Sequence, residues 1–515
     1  MSSVSRGKLA RTGLLATVFI CAACGLVYEL ALVALGSYLI GNTAQQASIV
    51  LGLMVFAMGA GALAAKPLQK RAAAAFALIE LLLALFGGLS VIALYAAFAW
   101  LHLYTVAMVG VALLLGVLIG AEIPLLMVLL QRLRKQSAGS AVADLFAADY
   151  IGALLGGLAF PFLLLPVFGQ IKGALIVGAV NALAGLILVF TLFRRDLRRR
   201  TRWIVGGFAA LVAVTLVGGY AYAGRFEAEA QQALYANPIV YSEQTQYQRI
   251  VMTQSISPFR DTDTRLYLNG DLQFSSVDEY RYHEALVHPA LAGDRDDVLV
   301  LGGGDGLALR EILEYPDVEN VTLVELDPAM TDLARDNPVL NRLNGDAFAD
   351  PRVDTVNADA FNWLRGNTGR YDAIIVDMPD PDETATAKLY SVEFYGLASR
   401  LLAKDGRMAV QSGSPYFAPK SFWCVNKTLK EAGTKPVPYH VTVPSFGDWG
   451  FNLVGAKSTP ELALDPPGDL KSLDGPTLDA ATVFPPDRPE RDVPASTLMD
   501  PVILEYAQSE WDSYG

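Results

Sequence analysis

Asp377-Met378-Pro379-Asp380-Pro381-Asp382 places three carboxylates in one short segment directly after the apolar run Ala373–Val376. A carboxylate at the carboxyl end of a buried strand is placed to take a proton from a nucleophile or to hold a cation. A second cluster lies upstream, where Asp297-Val298-Leu299-Val300-Leu301 runs straight into Gly302-Gly303-Gly304-Asp305-Gly306. Glycines at that point let the backbone turn sharply and approach a ligand. Glu325 follows Gly304 by 21 residues, the interval at which an acid meets ribose hydroxyls in nucleoside-binding sheets. A third run ends at Asn357-Ala358-Asp359-Ala360, where adenine would lie. Together these strand ends predict an adenosine-bearing ligand beside a carboxylate-rich reaction centre. Asp382 reads as a solvated loop acid, and His283 as structural.

The elements that must carry these residues are legible in the surrounding pattern. Residues 239–273 read as β structure with a tight turn at Asn269-Gly270, followed by a helix over 278–291. Beyond 297, apolar strands at Val321–Val324, Val353–Val356, Ala373–Val376 and Arg407–Val410 alternate with helical segments. That alternation predicts a doubly wound α/β domain. The same sheet serves methyl transfer from S-adenosylmethionine, so the fold does not choose the reaction. Asp305 argues for the decarboxylated form, because a carboxylate there repels the carboxylate of S-adenosylmethionine and attracts a free ammonium.

Several blocks within about residues 240–455 resemble the spermidine-synthase family, in its membrane-bound bacterial branch. Tyr247-Gln248-Arg249-Ile250-Val251 is similar to its first strand motif. Leu266–Gln273 followed by Asp278–Glu284 is similar to its second signature, and Gly302–Gly306 and Asp377–Pro381 to its glycine loop and D-x-x-D-P. The resemblance implies an aminopropyltransferase that moves the aminopropyl group of decarboxylated S-adenosylmethionine to a polyamine, putrescine by default. Gln248, Gln273, Gly302, Asp305, Glu325 and Asp359 would hold the nucleoside co-substrate. Asp377 would be the general base, with Tyr282 and Asp380 positioning the amine. No metal or resident cofactor is implied, and the expected assembly is a homodimer through the catalytic domain. Two departures stand out: no Gly-Pro gate follows the D-x-x-D-P, and Val443 occupies the place of the family's late amine-contacting tyrosine, with Asp448 and Trp449 as substitutes. Two other readings remain: a polyamine sensor or transporter with an inactive synthase-like domain, and an amine methyltransferase consuming S-adenosylmethionine itself.

The first part of the chain is a different object. Residues 1–223 carry sixteen Lys/Arg against six Asp/Glu, net +10, while the remainder is net −22. An acidic catalytic part is compatible with cationic substrates and argues against nucleic acid. Seven apolar segments (about 13–40, 47–65, 73–99, 103–130, 141–165, 171–192 and 203–223) are each about as long as a bilayer span. Basic residues fill the N-terminus and alternate loops, up to Arg194–Arg202, which predicts a multi-pass protein of the cell inner membrane with a cytoplasmic N-terminus. Seven spans put the catalytic domain outside, whereas its co-substrate is made in the cytoplasm, so its side is left open. Glu122 and Asp149 lie inside spans and suggest an intramembrane path for an amine. Cys21 and Cys24 read as small packing residues rather than ligands. The expected plan is therefore a helical membrane domain (1–223), a linker and small β subdomain (224–296), a Rossmann-like, methyltransferase-type α/β domain (297–457) and a Pro/Asp-rich tail (458–515), with Met499–Trp511 as a docked helix.

Overall fold

The computed structural model describes residues 3–40, 43–133, 138–255, 262–456 and 458–511, which form two compact units, 1–236 and 237–515. The first contains helices α1 (Ser3–Ile40), α2 (Thr43–Ala64), α3 (Ala72–Ala96), α4 (Tyr104–Leu133), α5 (Ala138–Ala159), α6 (Leu165–Leu192) and α7 (Arg199–Gln232). Among the described residues, six continuous helical stretches here are long and apolar enough to cross a membrane. The longest, Val142–Leu192, holds two of the expected segments, and its backbone leaves the helical region at Gly169 (φ 70°, ψ 179°). Gly152 and Gly156 of α5 meet the backbone of Phe19 and Ala23 in ascending order, whereas Gly13 lies beside Leu192 at the end of α6. Helices α5 and α6 therefore run in opposite directions along α1, and Gly169 is where the chain reverses. The last helix extends past the expected limit of 223, because the polar turns from Arg225 to Gln232 continue it.

Small residues set the helix spacing. A Cβ added to Gly61 or Gly120 would lie 2.0 Å from the carbonyl oxygens of Val117 and Met58, so α2 and α4 touch backbone to backbone. Gly152 does the same between α1 and α5, and Gly178 between α3 and α6. The acids divide. Glu80 is buried, and its Oε2 accepts from Asn181 Nδ2 at 2.7 Å and from Cys21 Sγ at 3.5 Å. Cys21, Glu80 and Glu122 bring ligand-type atoms within 4.8 Å of one another, so Cys21 stands in a polar cluster rather than in purely apolar packing. Asp149 is only half-buried, and Asp144 pairs with Arg11.

The second unit opens with an antiparallel sheet in the order β1 (Ile239–Gln244), β2 (Arg249–Gln254), β3 (Thr264–Leu268) and β4 (Asp271–Ser275). Asn269 and Gly270 both take positive φ in the turn between β3 and β4 (54° and 106°), as their residue types favour. After α8 (Glu279–Val287) comes an alternating series: β5 (Asp297–Gly302), α9 (Leu307–Leu313), β6 (Asn320–Glu325), α10 (Pro328–Asp336), α11 (Pro338–Leu343), β7 (Val353–Asn357), α12 (Ala360–Gly366) and β8 (Tyr371–Asp377). Then follow α13 (Thr384–Ala387), α14 (Val392–Arg400), β9 (Leu402–Gln411), α15 (Pro419–Glu431), β10 (Lys435–Val443), β11 (Gly447–Gly455), α16 (Gly475–Ala480) and α17 (Val502–Trp511).

Seven strands form one sheet in the order β10-β11-β9-β8-β5-β6-β7. Pairing is parallel from β9 to β7, and β11 joins antiparallel, so the sheet is mixed. The buried strands Val298–Leu301 and Ala373–Val376 are apolar on both faces because helices cover both. A separate apolar cluster joins Ile250, Met252, Leu266 and Phe274 of the small sheet to Leu307, Met330 and Leu333. That cluster seats β1–β4 over the helices that follow β5 and β6, next to the carboxyl ends of those strands.

Candidate active site

Strand register brings the glycine loop to Asp377. Gly302 pairs with Asp377 across β5 and β8, and Gly303 N donates to the Asp377 carbonyl at 3.1 Å. Gly302 has φ of 82°, and a Cβ there would lie 2.0 Å from the Asp377 carbonyl oxygen. A side chain on Gly304 would meet the Glu325 carboxylate at 2.7 Å. The loop thus needs glycine for conformation at one position and for space at the other. The Asp305 carboxylate accepts from Leu307 N at 2.9 Å, and the Glu325 carboxylate from Asp327 N at 2.9 Å. Burial pushes Asp305 up to about 6 and Glu325 up to about 7.

The opposite wall comes from α8. Asp278 accepts from Ser445 N at 2.6 Å and Ser445 Oγ at 2.8 Å, anchoring the helix start to the β10–β11 turn. From this helix Tyr282, 7% exposed, donates its hydroxyl to Asp377 Oδ1 at 2.6 Å. Burial raises Asp377 above the usual carboxylate range, while His283 and the Tyr282 hydrogen bond oppose it. Asp380 accepts from Gln411 Nε2 at 3.2 Å, and burial pushes it up to about 6. One phenol and two carboxylates are thereby fixed at the ends of α8 and β8.

Two residues outside the expected set complete this framework. Gln411, at the end of β9, donates to the Met378 carbonyl at 2.6 Å and to Tyr390, and its Oε1 accepts from Gly413 N at 3.0 Å. Its signal was a polar residue at a strand's carboxyl end, the same one that marks Asp377. His283 is buried, with Nδ1 2.8 Å from the Glu279 carbonyl and 2.9 Å from its carboxylate. Although burial alone lowers it, Glu279 and then Asp305 and Asp377 raise it to about 9, so it stands as a buried cation beneath the aspartates. Arg310 braces Glu279 with two bonds of 2.9 Å. The residue read as merely structural thus balances charge in the site.

The remaining expected residues are placed as follows. Gln248 lies in the β1–β2 turn, which Thr245 ties to Asp327 through a 2.7 Å hydrogen bond. Gln273 lies on β4, with Nε2 3.2 Å from the Asp271 carbonyl. The Asp359 carboxylate caps α12 through Asn362 N at 2.9 Å and pairs with Lys388 Nζ at 2.6 Å. Both of its carboxylate oxygens thus have protein partners. Asp382 is not a solvated acid. It is half-buried, and burial followed by Asp271, Asp380 and Glu383 pushes it up to about 8. Asp448 pairs with His440 at 2.7 Å, whereas Trp449 lies tilted against Phe446, 5.0 Å between centroids, and Phe446 in turn meets the Tyr282 ring at 6.1 Å. Trp449 therefore belongs to the wall of the site and Asp448 to its support.

Residues 279–466 match the model of the spermine/spermidine synthase domain. The chain is 60% identical to polyamine aminopropyltransferase 1 of Streptomyces coelicolor, over 98% of this chain and 96% of that protein. It is 47% identical to the polyamine aminopropyltransferase of Mycobacterium tuberculosis, over 98% and 97%. A solved spermidine synthase from Thermotoga maritima is 26% identical, with a TM-score of 0.43, covering 48% of this chain and 84% of that one. With this identity sustained along nearly its whole length, the chain belongs to the polyamine aminopropyltransferase family.

Proposed function

We propose that the chain transfers the aminopropyl group of decarboxylated S-adenosylmethionine to a diamine, with putrescine as the default acceptor. The observation that carries this reading is the Tyr282–Asp377 pair set against a glycine loop bearing Asp305. Gly302–Gly306, Glu325, Gln248 and Gln273 hold the nucleoside, and Asp305 receives the ammonium of its aminopropyl arm. Asp380 and Tyr282 orient the acceptor. An ammonium has no lone pair, so Asp377 takes a proton from the acceptor nitrogen. That nitrogen then forms a bond to the carbon beside the sulfonium while the carbon–sulfur bond breaks. The sulfur keeps the bonding pair and leaves as neutral 5′-methylthioadenosine. Orientation of the two reactants supplies much of the remaining acceleration. His283 keeps the net charge of the carboxylate group within bounds, so that Asp377 stays ionised beside Asp305.

The helical unit is read as a multi-pass anchor in the inner membrane, and Glu122 and Asp149 as a path for an amine; their placement among apolar helices supports this. The test is methylthioadenosine release by detergent-purified full-length protein given decarboxylated S-adenosylmethionine and a panel of di- and triamines. Turnover that Asp377→Asn abolishes supports transfer and identifies the acceptor. Nucleoside binding without turnover for any amine refutes it.

A further inference from the structure

The tail helix α17 reaches the reaction centre by two separate routes. Gln508 Nε2 donates to the backbone carbonyl of Asp382 at 2.7 Å, two residues beyond Asp380. This is the segment that lacks a Gly-Pro gate, and its other brace is the capping box between Glu383 and Thr386. Trp511 lies against Phe417 at 5.5 Å and Trp449 at 6.4 Å between ring centroids. From Trp449 the ring contacts continue through Phe446 to Tyr282, whose hydroxyl meets Asp377. The helix is itself secured: the Glu510 carboxylate accepts from Lys420 N (2.9 Å) and Ser421 N (3.1 Å) at the start of α15, and Ile503 and Ala507 are buried. The first route ends two residues from Asp380 and the second at Tyr282, the two groups assigned to the amine. Among the described hydrogen bonds, none links α17 to the glycine loop or Glu325.

We infer that Gln508 and Trp511 are positioning residues for the acceptor amine, holding the Asp380–Asp382 segment and the Trp449 wall in register across the site. The inference rests on the assignment of Asp380 and Tyr282 to the acceptor side. Loss of Gln508 frees a carbonyl that fixes where the carboxylates of Asp380 and Asp382 sit. Loss of the Trp511 ring leaves Trp449 without its outer neighbour, so the wall relaxes away from Tyr282. Neither side chain itself makes a described contact with the glycine loop, Glu325 or Asp359.

Full-length Gln508→Ala, Trp511→Ala, Trp511→Phe and Asp380→Asn proteins, each checked for an unchanged melting temperature, are assayed with both substrates varied. Gln508→Ala and Trp511→Ala each raise KM for the amine about tenfold, with KM for the nucleoside co-substrate unchanged. Trp511→Phe restores the amine KM, and amide exchange over residues 382–387 quickens in Gln508→Ala. An Asp380→Asn protein with raised amine KM, beside Gln508→Ala and Trp511→Ala proteins with normal amine KM, overturns the inference alone. An equal rise in both KM values in the tail variants also overturns it, as a general loss of structure. Unchanged amine KM in Asp380→Asn overturns the acceptor-side assignment and the inference with it.

Discussion

Asp377→Asn preserves the shape of the proton acceptor and removes its basicity. We expect kcat to fall by about 10²–10⁴-fold, with nucleoside affinity retained, measured by single-turnover methylthioadenosine release and by equilibrium binding. Tyr282→Phe deletes a single hydroxyl 2.6 Å from that carboxylate and should leave kcat reduced less than Asp377→Asn does. The pH profile has a definite sign. Asp305 and Asp380, both raised to about 6 by burial, must be ionised to hold ammonium groups, so kcat/KM rises with pH through about 6. His283 works in the opposite sense on stability. Its folded value of about 9 lies above the ordinary 6.5, so its contribution is fully present below about 6.5 and is lost as pH rises through about 9. Melting temperature measured from pH 6 to 10 should fall more steeply in the native protein than in His283→Gln. The clustered carboxylates were legible because a strand's end, a glycine loop and a D-x-x-D-P sit in one order along the chain. His283 was not, because its charge depends on Glu279 one helical turn earlier and on aspartates far away in sequence.

Among the elements, the β5-to-α9 connection tolerates least. Gly304→Ala puts a methyl group where the Glu325 carboxylate lies, and Gly302→Ala drives a Cβ into the Asp377 carbonyl at a positive φ. Both should abolish nucleoside binding, read by calorimetry, while Gly396→Ala, with nothing near its Cβ, should bind normally. The alternation of apolar runs with helical segments made the parallel part of the sheet readable in sequence. The antiparallel β10–β11 edge was less so, since its strands carry prolines and polar residues and gain their order from pairing with β9. The tail was read mainly as linker for a similar reason. Its Pro- and Asp-rich composition describes the connection between α16 and α17, not the burial of Ile503 and Ala507 against the α/β domain.

For the whole molecule, the two units differ in the surface each presents. The helical unit leaves Phe56, Phe162, Trp203 and Val214 more than 70% exposed, a surface that water disfavours and lipid accepts. If the amine path through this unit operates, Glu122→Gln combined with Asp149→Asn should reduce spermidine or putrescine flux in proteoliposomes at least tenfold, with methylthioadenosine release in detergent unchanged. Equal flux in the double variant refutes the path. The apolar helices were readable from hydropathy because each is predominantly apolar, and the reversal at Gly169 separates the two expected segments within Val142–Leu192.

The glycine contacts between helices carry a mechanical consequence. Where Gly61 and Gly120 seat α2 on α4, Gly152 seats α5 on α1 and Gly178 seats α6 on α3, each pair meshes like teeth with no side-chain cushion between. Sliding by one residue would drive a Cβ into a carbonyl, so each pair is locked in register. Sliding within these three helix pairs is therefore sterically opposed, whereas the other helix contacts of the bundle carry no such interlock from these glycines.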